Sequence, residues 1–177
     1  MTNDIDFERA NDFHGVGYGE NARTTLREFD GDFNGGGHRI KGLYVKSYAF
    51  DAQGKTVTDS LYNYGALFRI LGKYGSIHDL VIDKDNDFYI YSHGGAVAGY
   101  VMGKLYNVKN YANIYGYDDF IGGLTGTVGE YGQVSNCYNA GKVYYSSNNG
   151  GGIAGNNLGL IEKSQNDGDV TGSKYEY

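Results

Sequence analysis

Apolar and polar residues alternate along this chain only over short stretches, as at Leu43 and Val45, Leu80 and Ile82, or Phe88 and Ile90. Gly, Asn or Asp cuts each stretch, which is the pattern of half-buried β-strands joined by turns. No segment keeps the i, i+3, i+4, i+7 spacing over helical length, so the pattern predicts an all-β fold. The strands also recur. Gly65-Ala66-Leu67-Phe68, Gly95-Ala96-Val97-Ala98-Gly99, Gly122-Gly123-Leu124-Thr125-Gly126 and Gly151-Gly152-Ile153-Ala154-Gly155 place an apolar residue at Leu67, Val97, Leu124 and Ile153, in steps of 30, 27 and 29. A second anchor follows at Ile77, Leu105, Val134 and Ile161, and three residues on come Leu80, Val108, Cys137 and Ser164. Asn110, Asn139 and Asn166 then return in step, followed by Ile114, Val143 and Val170.

A period near 28 residues, made of three short strands and three turns, predicts one rung of a right-handed parallel β-helix, a β-solenoid. A single rung cannot own a core and must stack on the next, about 4.8 Å away. Equivalent residues then form columns: Leu67, Val97, Leu124 and Ile153 in one, and Ile40, Ile77, Leu105, Val134 and Ile161 in a second. The Gly-Gly pairs are expected to turn corners at positive φ, where a Cβ would strike its copy in the next rung. The three asparagines are expected to form a hydrogen-bonded ladder. Residues 46–62 and 83–93 read as insertions or longer turns. The expected organisation is a solenoid unit with a capping role over residues 1–45, then four repeats over 46–177.

Composition agrees with such a stack. Glycine supplies 30 of 177 residues, roughly 17% against an ordinary ~7%, and proline and tryptophan are absent. The net charge of -6 argues against a nucleic-acid or anionic-membrane surface. No apolar run approaches the ~18 residues of a membrane span, so no membrane insertion is expected. Cys137 has no partner for an internal disulfide, and Met1-Thr2-Asn3-Asp4-Ile5-Asp6 has neither the basic nor the apolar region of a signal peptide.

The stretch from Gly122 to Val143 resembles the GLUG motif of bacterial surface proteins, with a second good copy from Gly151 to Gly172. Phe29 to Leu43 resembles the unit that precedes such repeats, with Ile40 and Leu43 matching Ile77 and Leu80. Asp4-Ile5-Asp6-Phe7 resembles the short strand before that unit. Gly36 stands where the family usually has Asn, Arg69 where a Gly is expected, and Ser164 where Cys or an apolar residue is usual. The resemblance implies a stalk or presentation domain of adhesins and large surface peptidases, extracellular or at the cell surface. It implies no catalytic residue.

Motifs for other chemistry are sparse. His14, His38, His78 and His93 show no metal-ligand spacing, and His38 reads as capping a turn. Asp83, Asp85 and Asp87 begin like an EF-hand loop and form a weak calcium candidate, but Phe88 and Gly94 stand where its Gly and Glu belong. Gly15-Val16-Gly17-Tyr18-Gly19 lacks nucleotide-binding spacing, no nucleophile elbow is present, and no cofactor is expected. Asp30 and Asp32 alternate on a strand about 6–7 Å apart, a separation that a glycan hydrolase uses but that any such pair has.

Tyrosine is the residue in excess, with 19 copies. Tyr44 is expected to face outward in one column with Tyr138, alongside Val81, Lys109 and Gln165. Tyr89 and Tyr91 face outward if Phe88 and Ile90 face in. Tyr111, Tyr115, Tyr117 and Tyr144 or Tyr145 are placed in turns. Tyr44, Tyr89, Tyr91 and Tyr138 are therefore the candidate ligand-binding residues, since exposed Tyr suits stacking on sugars or contact with protein. High β propensity and self-stacking along the solenoid explain the same excess without a ligand.

The reading favoured is a non-enzymatic structural and adhesive module that presents a Tyr- and Asn-rich face to glycan or to host or neighbour-cell protein. The alternative is a carbohydrate-active β-helix enzyme, a polysaccharide hydrolase or lyase. An ice-binding solenoid lacks its threonine columns, for which Thr125-Gly126-Thr127 alone comes close. A last repeat that reaches Val170-Thr171-Gly172 just before Tyr177 predicts a segment of a longer surface protein, with end-to-end self-association through its C-terminal edge.

Overall fold

The computed structural model describes residues 1–9, 13–17, 27–47, 49–50, 56–57, 64–146 and 148–172. Its strands are parallel and lie on three faces, apart from a short parallel pair, Ile121–Gly122 with Gly150–Gly151, and an antiparallel pair, Ala49–Phe50 with Thr56–Val57. On the first face Phe68–Leu71, Ala98–Val101, Thr125–Val128 and Ala154–Asn157 stack in that order. Phe68 pairs with Ala98, Ala98 with Thr125 and Thr125 with Ala154, steps of 30, 27 and 29 residues. The second face carries Ser76–Ile82, Lys104–Asn110, Gln133–Ser135 with Tyr138–Asn139, and Leu160–Glu162 with Gln165–Asn166. The third carries Tyr44–Lys46, Asp87–Ile90, Asn113–Gly116, Val143–Tyr145 and Val170–Gly172. The chain is thus a parallel β-solenoid of about four turns.

Every second-face strand bends at one residue in the left-handed region: Asp79, Asn107, Asn136 and Lys163, with φ of 52, 54, 51 and 49°. The register places them one above the other. Asp and Asn tolerate this conformation better than most residues and supply the first three bends; in the last rung Lys163 adopts it. It turns each strand through a corner at the same place in every rung.

The predicted columns are present. Backbone bonds run from Phe68 to Val97, from Val97 to Leu124 and from Leu124 to Ile153. Ile77, Leu105, Val134 and Ile161 are register partners, as are Ile114, Val143 and Val170. From Leu67 to Val143 these side chains are almost wholly buried, each stabilising the fold by about 1.5–3 kcal/mol. The asparagine ladder is also there: Asn110 Nδ2 donates to Asn139 Oδ1 at 2.8 Å, and Asn139 Nδ2 to Asn166 Oδ1 at 2.7 Å. Each amide also donates to the carbonyl two residues on, so the buried Asn110 and Asn139 leave water without losing their bonds.

Three expectations need correction. Ile40 is not in the Ile77 column; Phe33 pairs with Ile77, and Ile40 with Ile82. The N-terminal unit splits its second-face strand into Asp32–Asn34 and Arg39–Lys41 around the Gly35-Gly36-Gly37 loop, which delays Ile40. Residues 83–93 are not simply an inserted turn, because Asp87–Ile90 is the third-face strand of its rung. The repeated Gly-Gly pairs do not have positive φ; among the described residues the glycines that do are Gly15, Gly17, Gly36, Gly37 and Gly42. Close stacking excludes a side chain instead: a Cβ on Gly123 would collide with the Gly152 carbonyl oxygen. Much of the 46–62 segment lies outside the described residues.

The N-terminal unit covers the first rung on all three faces. Val16 and Phe29 bridge to Phe68 and Leu71, the two short strands lie on Ser76–Ile82, and Tyr44–Lys46 pairs with Asp87–Ile90. Phe29 and Phe33 pack on Phe68, with ring centroids 5.0 and 5.1 Å away. Arg69 sits under this unit rather than under another rung, which is why the position held by Gly99, Gly126 and Gly155 elsewhere can carry a side chain here.

Candidate functional site

Two surfaces concentrate functional side chains. The first is an aromatic ladder on the third face. Tyr89, Tyr115 and Tyr144 are register partners, and their rings stack at 5.1 and 5.2 Å with interplanar angles of 13° and 7°. Tyr44 joins the upper end at 5.7 Å from Tyr89. Tyr91 and Tyr117 form a second stack at 5.6 Å. Phe88 and Ile90 are fully buried while Tyr89 and Tyr91 are half-buried, so the outward assignment of these two holds. A polar row runs beside the ladder through Asp87, Asn113 and Lys142, with Lys142 paired to Asp169 at 3.3 Å. Burial comes first among the causes that hold the Tyr89 and Tyr91 phenols above the ordinary value, so they remain neutral donors.

Tyr138 does not belong to this ladder. It lies on the second face, aligned with Lys109, Val81 and Gln165 as expected, but Arg39 rather than Tyr44 completes the column. The shifted register of the N-terminal unit causes that error too. Its hydroxyl donates to Asp167 at 2.9 Å. Tyr115 and Tyr144 lie in strands rather than turns, and Tyr145 packs against the core. Stacking covers both ring faces of Tyr115 and one face of Tyr89, with Tyr44 tilted at 46° against Tyr89.

The second surface is the corner of the second face. A groove of about 700 Å³ is lined by Asn34, Gly36, Gly37, Asp79, Leu80, Val81, Asn107, Lys109 and Asn136. On its rim His78 is clamped between two carboxylates, Nδ1 at 2.7 Å from Asp79 and Nε2 at 3.2 Å from Asp32. Its ring stacks on Tyr106 at 4.6 Å and 3°. Burial pulls the imidazole down, but the bonds and charges of Asp79 and Asp32 outweigh it and raise its pKa above the ordinary 6.5. Ser76, then His78, holds Asp32 below the carboxylate range; His78, then Asn107, does the same for Asp79. A doubly protonated ring donating to both carboxylates satisfies all three groups.

The acidic positions singled out in the sequence have other partners. Asp30 accepts a bond from the Tyr74 backbone and Asp32 from Ser76 and His78, so each is tied to the rung beneath. Asp83 pairs with Arg39 at 2.7 Å and Asp87 with Arg9. Asp85 lines a separate shallow groove with Lys41 and Lys84. Among the described residues no three His, Cys, Asp or Glu side chains come together as a metal site. His38 donates its backbone N–H to the Gly35 carbonyl and its ring faces Asp4. Burial pushes the Cys137 thiol up to about 11, which leaves it unreactive at neutral pH. No helix is long and apolar enough to cross a membrane among the described residues.

No protein-family model, curated protein or solved structure matches this chain. The geometry of its two surfaces therefore carries the functional reading.

Proposed function

We propose that this solenoid is a non-enzymatic structural and adhesive module, of the kind its GLUG-like repeats imply, displayed at a bacterial cell surface or secreted as part of a larger protein. The observation that carries the reading is the regular polar and aromatic surface on a rigid stack: stacked tyrosines on one face and an amide-lined groove on another. Such surfaces bind extended ligands by many modest contacts, with little entropy lost in the rigid aromatic side chains. The hydrolase alternative is weaker on its own geometry. Of its two carboxylates, Asp30 accepts from the Tyr74 backbone and Asp32 is held by Ser76 and His78, so both are already engaged within the fold. In the last rung Leu158, Leu160 and Val170 are exposed, which supports an end-to-end contact between copies.

The test is incubation with a panel of acidic and neutral polysaccharides, following both bound protein and new reducing ends or unsaturated uronate. The module is expected to be retained on at least one polysaccharide or on host-cell protein without generating product. Product formation abolished by Asp32→Ala would establish the enzymatic alternative instead.

A further inference from the structure

The two tyrosine-bearing faces differ in one respect that bears on ligands. In the third-face ladder Tyr115 is sandwiched between Tyr89 and Tyr144, and Tyr89 lies between Tyr115 and a tilted Tyr44. Tyr106, on the second face, has His78 on one side only. Its register neighbour in the next rung is Ser135, whose side chain is too small to cover a phenol ring. One π-face of Tyr106 is thus left open beside the groove, and the ring is held parallel to a clamped imidazole that cannot rotate without breaking two bonds.

The groove beside it has the lining that a hydroxyl-rich chain requires. Asn34, Asn107 and Asn136 bring side-chain amides, each able to donate and accept, and the bend holds Asn107 and Asn136 at left-handed positions one rung apart. Asp79 is already engaged by His78 and Asn107, so its charge is compensated. Lys109 lines the groove and Lys104 flanks Tyr106 two residues before it; among the described residues neither forms an ion pair. Lys104 and Lys109 offset the carboxylates of Asp32 and Asp79 in formal charge, on a chain whose net charge is -6. A volume of about 700 Å³ lies within the ~300–1,000 Å³ of ordinary ligand clefts.

We propose that this groove is a binding site for an acidic saccharide chain, with one sugar stacked on the open face of Tyr106, its hydroxyls on Asn107 and Asn136, and a uronate carboxylate at Lys109. The proposal rests on the reading above that the module binds its ligand without converting it, and it places the ligand away from the tyrosine ladder. A sugar face on a tyrosine gains area at low entropic cost, and the fixed amides supply the direction that stacking lacks.

Isothermal titration with hexagalacturonate, a hyaluronan hexasaccharide and neutral cellohexaose tests it on the full chain. At least one acidic oligomer is expected to bind more tightly than cellohexaose. Tyr106→Ala is expected to weaken that binding by about tenfold or more, and Lys109→Gln by about threefold to tenfold with no effect on cellohexaose. Lys109 is exposed and carries no fold risk, so the second variant stands even if the first is unstable. Lys84→Gln, in the separate groove beside Asp85, is expected to leave affinity unchanged. Binding of neither acidic oligomer, or binding lost in Lys84→Gln but kept in Tyr106→Ala and Lys109→Gln, overturns the groove assignment while leaving the adhesive reading intact. Cleavage of the oligomers during titration overturns that reading instead.

Discussion

The third and fourth rungs carry nearly the same pattern and have unlike surroundings. Val143 and Val170 are register partners, yet Val143 is fully buried and Val170 is 41% exposed. Leu124 is fully buried while its partner Ile153 is only partly so, and Asn139 is buried while Asn166 is exposed. The difference is not in the residues but in whether another layer lies on each side. A solenoid position becomes a core position only when it is covered twice, and the N-terminal unit supplies that second cover for the first rung.

Paired substitutions sharpen the comparison, and the largest effect belongs to the apolar column. Leu124→Ala should cost about 2–5 kcal/mol in urea unfolding, because neighbours in three rungs cannot collapse into the space. Ile153→Ala, with one side open, should cost less than half of whatever Leu124→Ala does. The asparagine ladder comes next. Asn139→Ala leaves the Asn110 donor and the Gly141 carbonyl without their partner and should cost about 1–3 kcal/mol, whereas Asn166→Ala should cost under about 1 kcal/mol because water replaces the lost bonds. An equal cost at 139 and 166 would show that the last rung is as covered as the third. Smaller again is the valine pair: Val143→Ala should lower the unfolding midpoint measurably, and Val170→Ala should leave it almost unchanged.

The smallest effect is a pH dependence at the opposite end of the stack, where Asp32 of the N-terminal unit meets His78. The His78 pKa is raised on folding, so its stabilisation is full below about 6.5 and lost as pH rises through the higher folded value. Asp32 and Asp79 are lowered on folding, so theirs is present above about 3.8 and lost as pH falls below it. Melting profiles should therefore decline above pH 6.5 in the native chain, and His78→Gln should flatten that limb. An unchanged slope in the variant would mean that the clamp does not hold the cap.

The repeated rungs were legible in the sequence because Gly, Asn and the apolar anchors return in step, and each return has a physical cause. A Cβ collides at Gly123, amides must pair at Asn110 and Asn139, and side chains must fill the column at Leu124. The N-terminal unit was not, since its split second-face strand breaks the period and moves Ile40 and Tyr44 out of the columns that a constant spacing assigns them. The Asp32–His78 contact was hidden for the same reason, joining residues 46 apart across that irregular junction. Tyr115 and Tyr144 had a readable signal: Asp87-Phe88-Tyr89, Asn113-Ile114-Tyr115 and Lys142-Val143-Tyr144 repeat polar, apolar, tyrosine. The groove at Tyr106 had none, because it depends on a backbone bend and on the small size of Ser135.

Amide hydrogen exchange along the chain tests most directly the claim that double coverage, rather than residue type, makes each rung stable. The account predicts the slowest exchange at Val97, Leu105, Leu124, Val134 and Val143, similar protection in the rung under the N-terminal unit, and clearly faster exchange from Ile153 through Val170. Uniform protection from Leu67 to Val170 would contradict it.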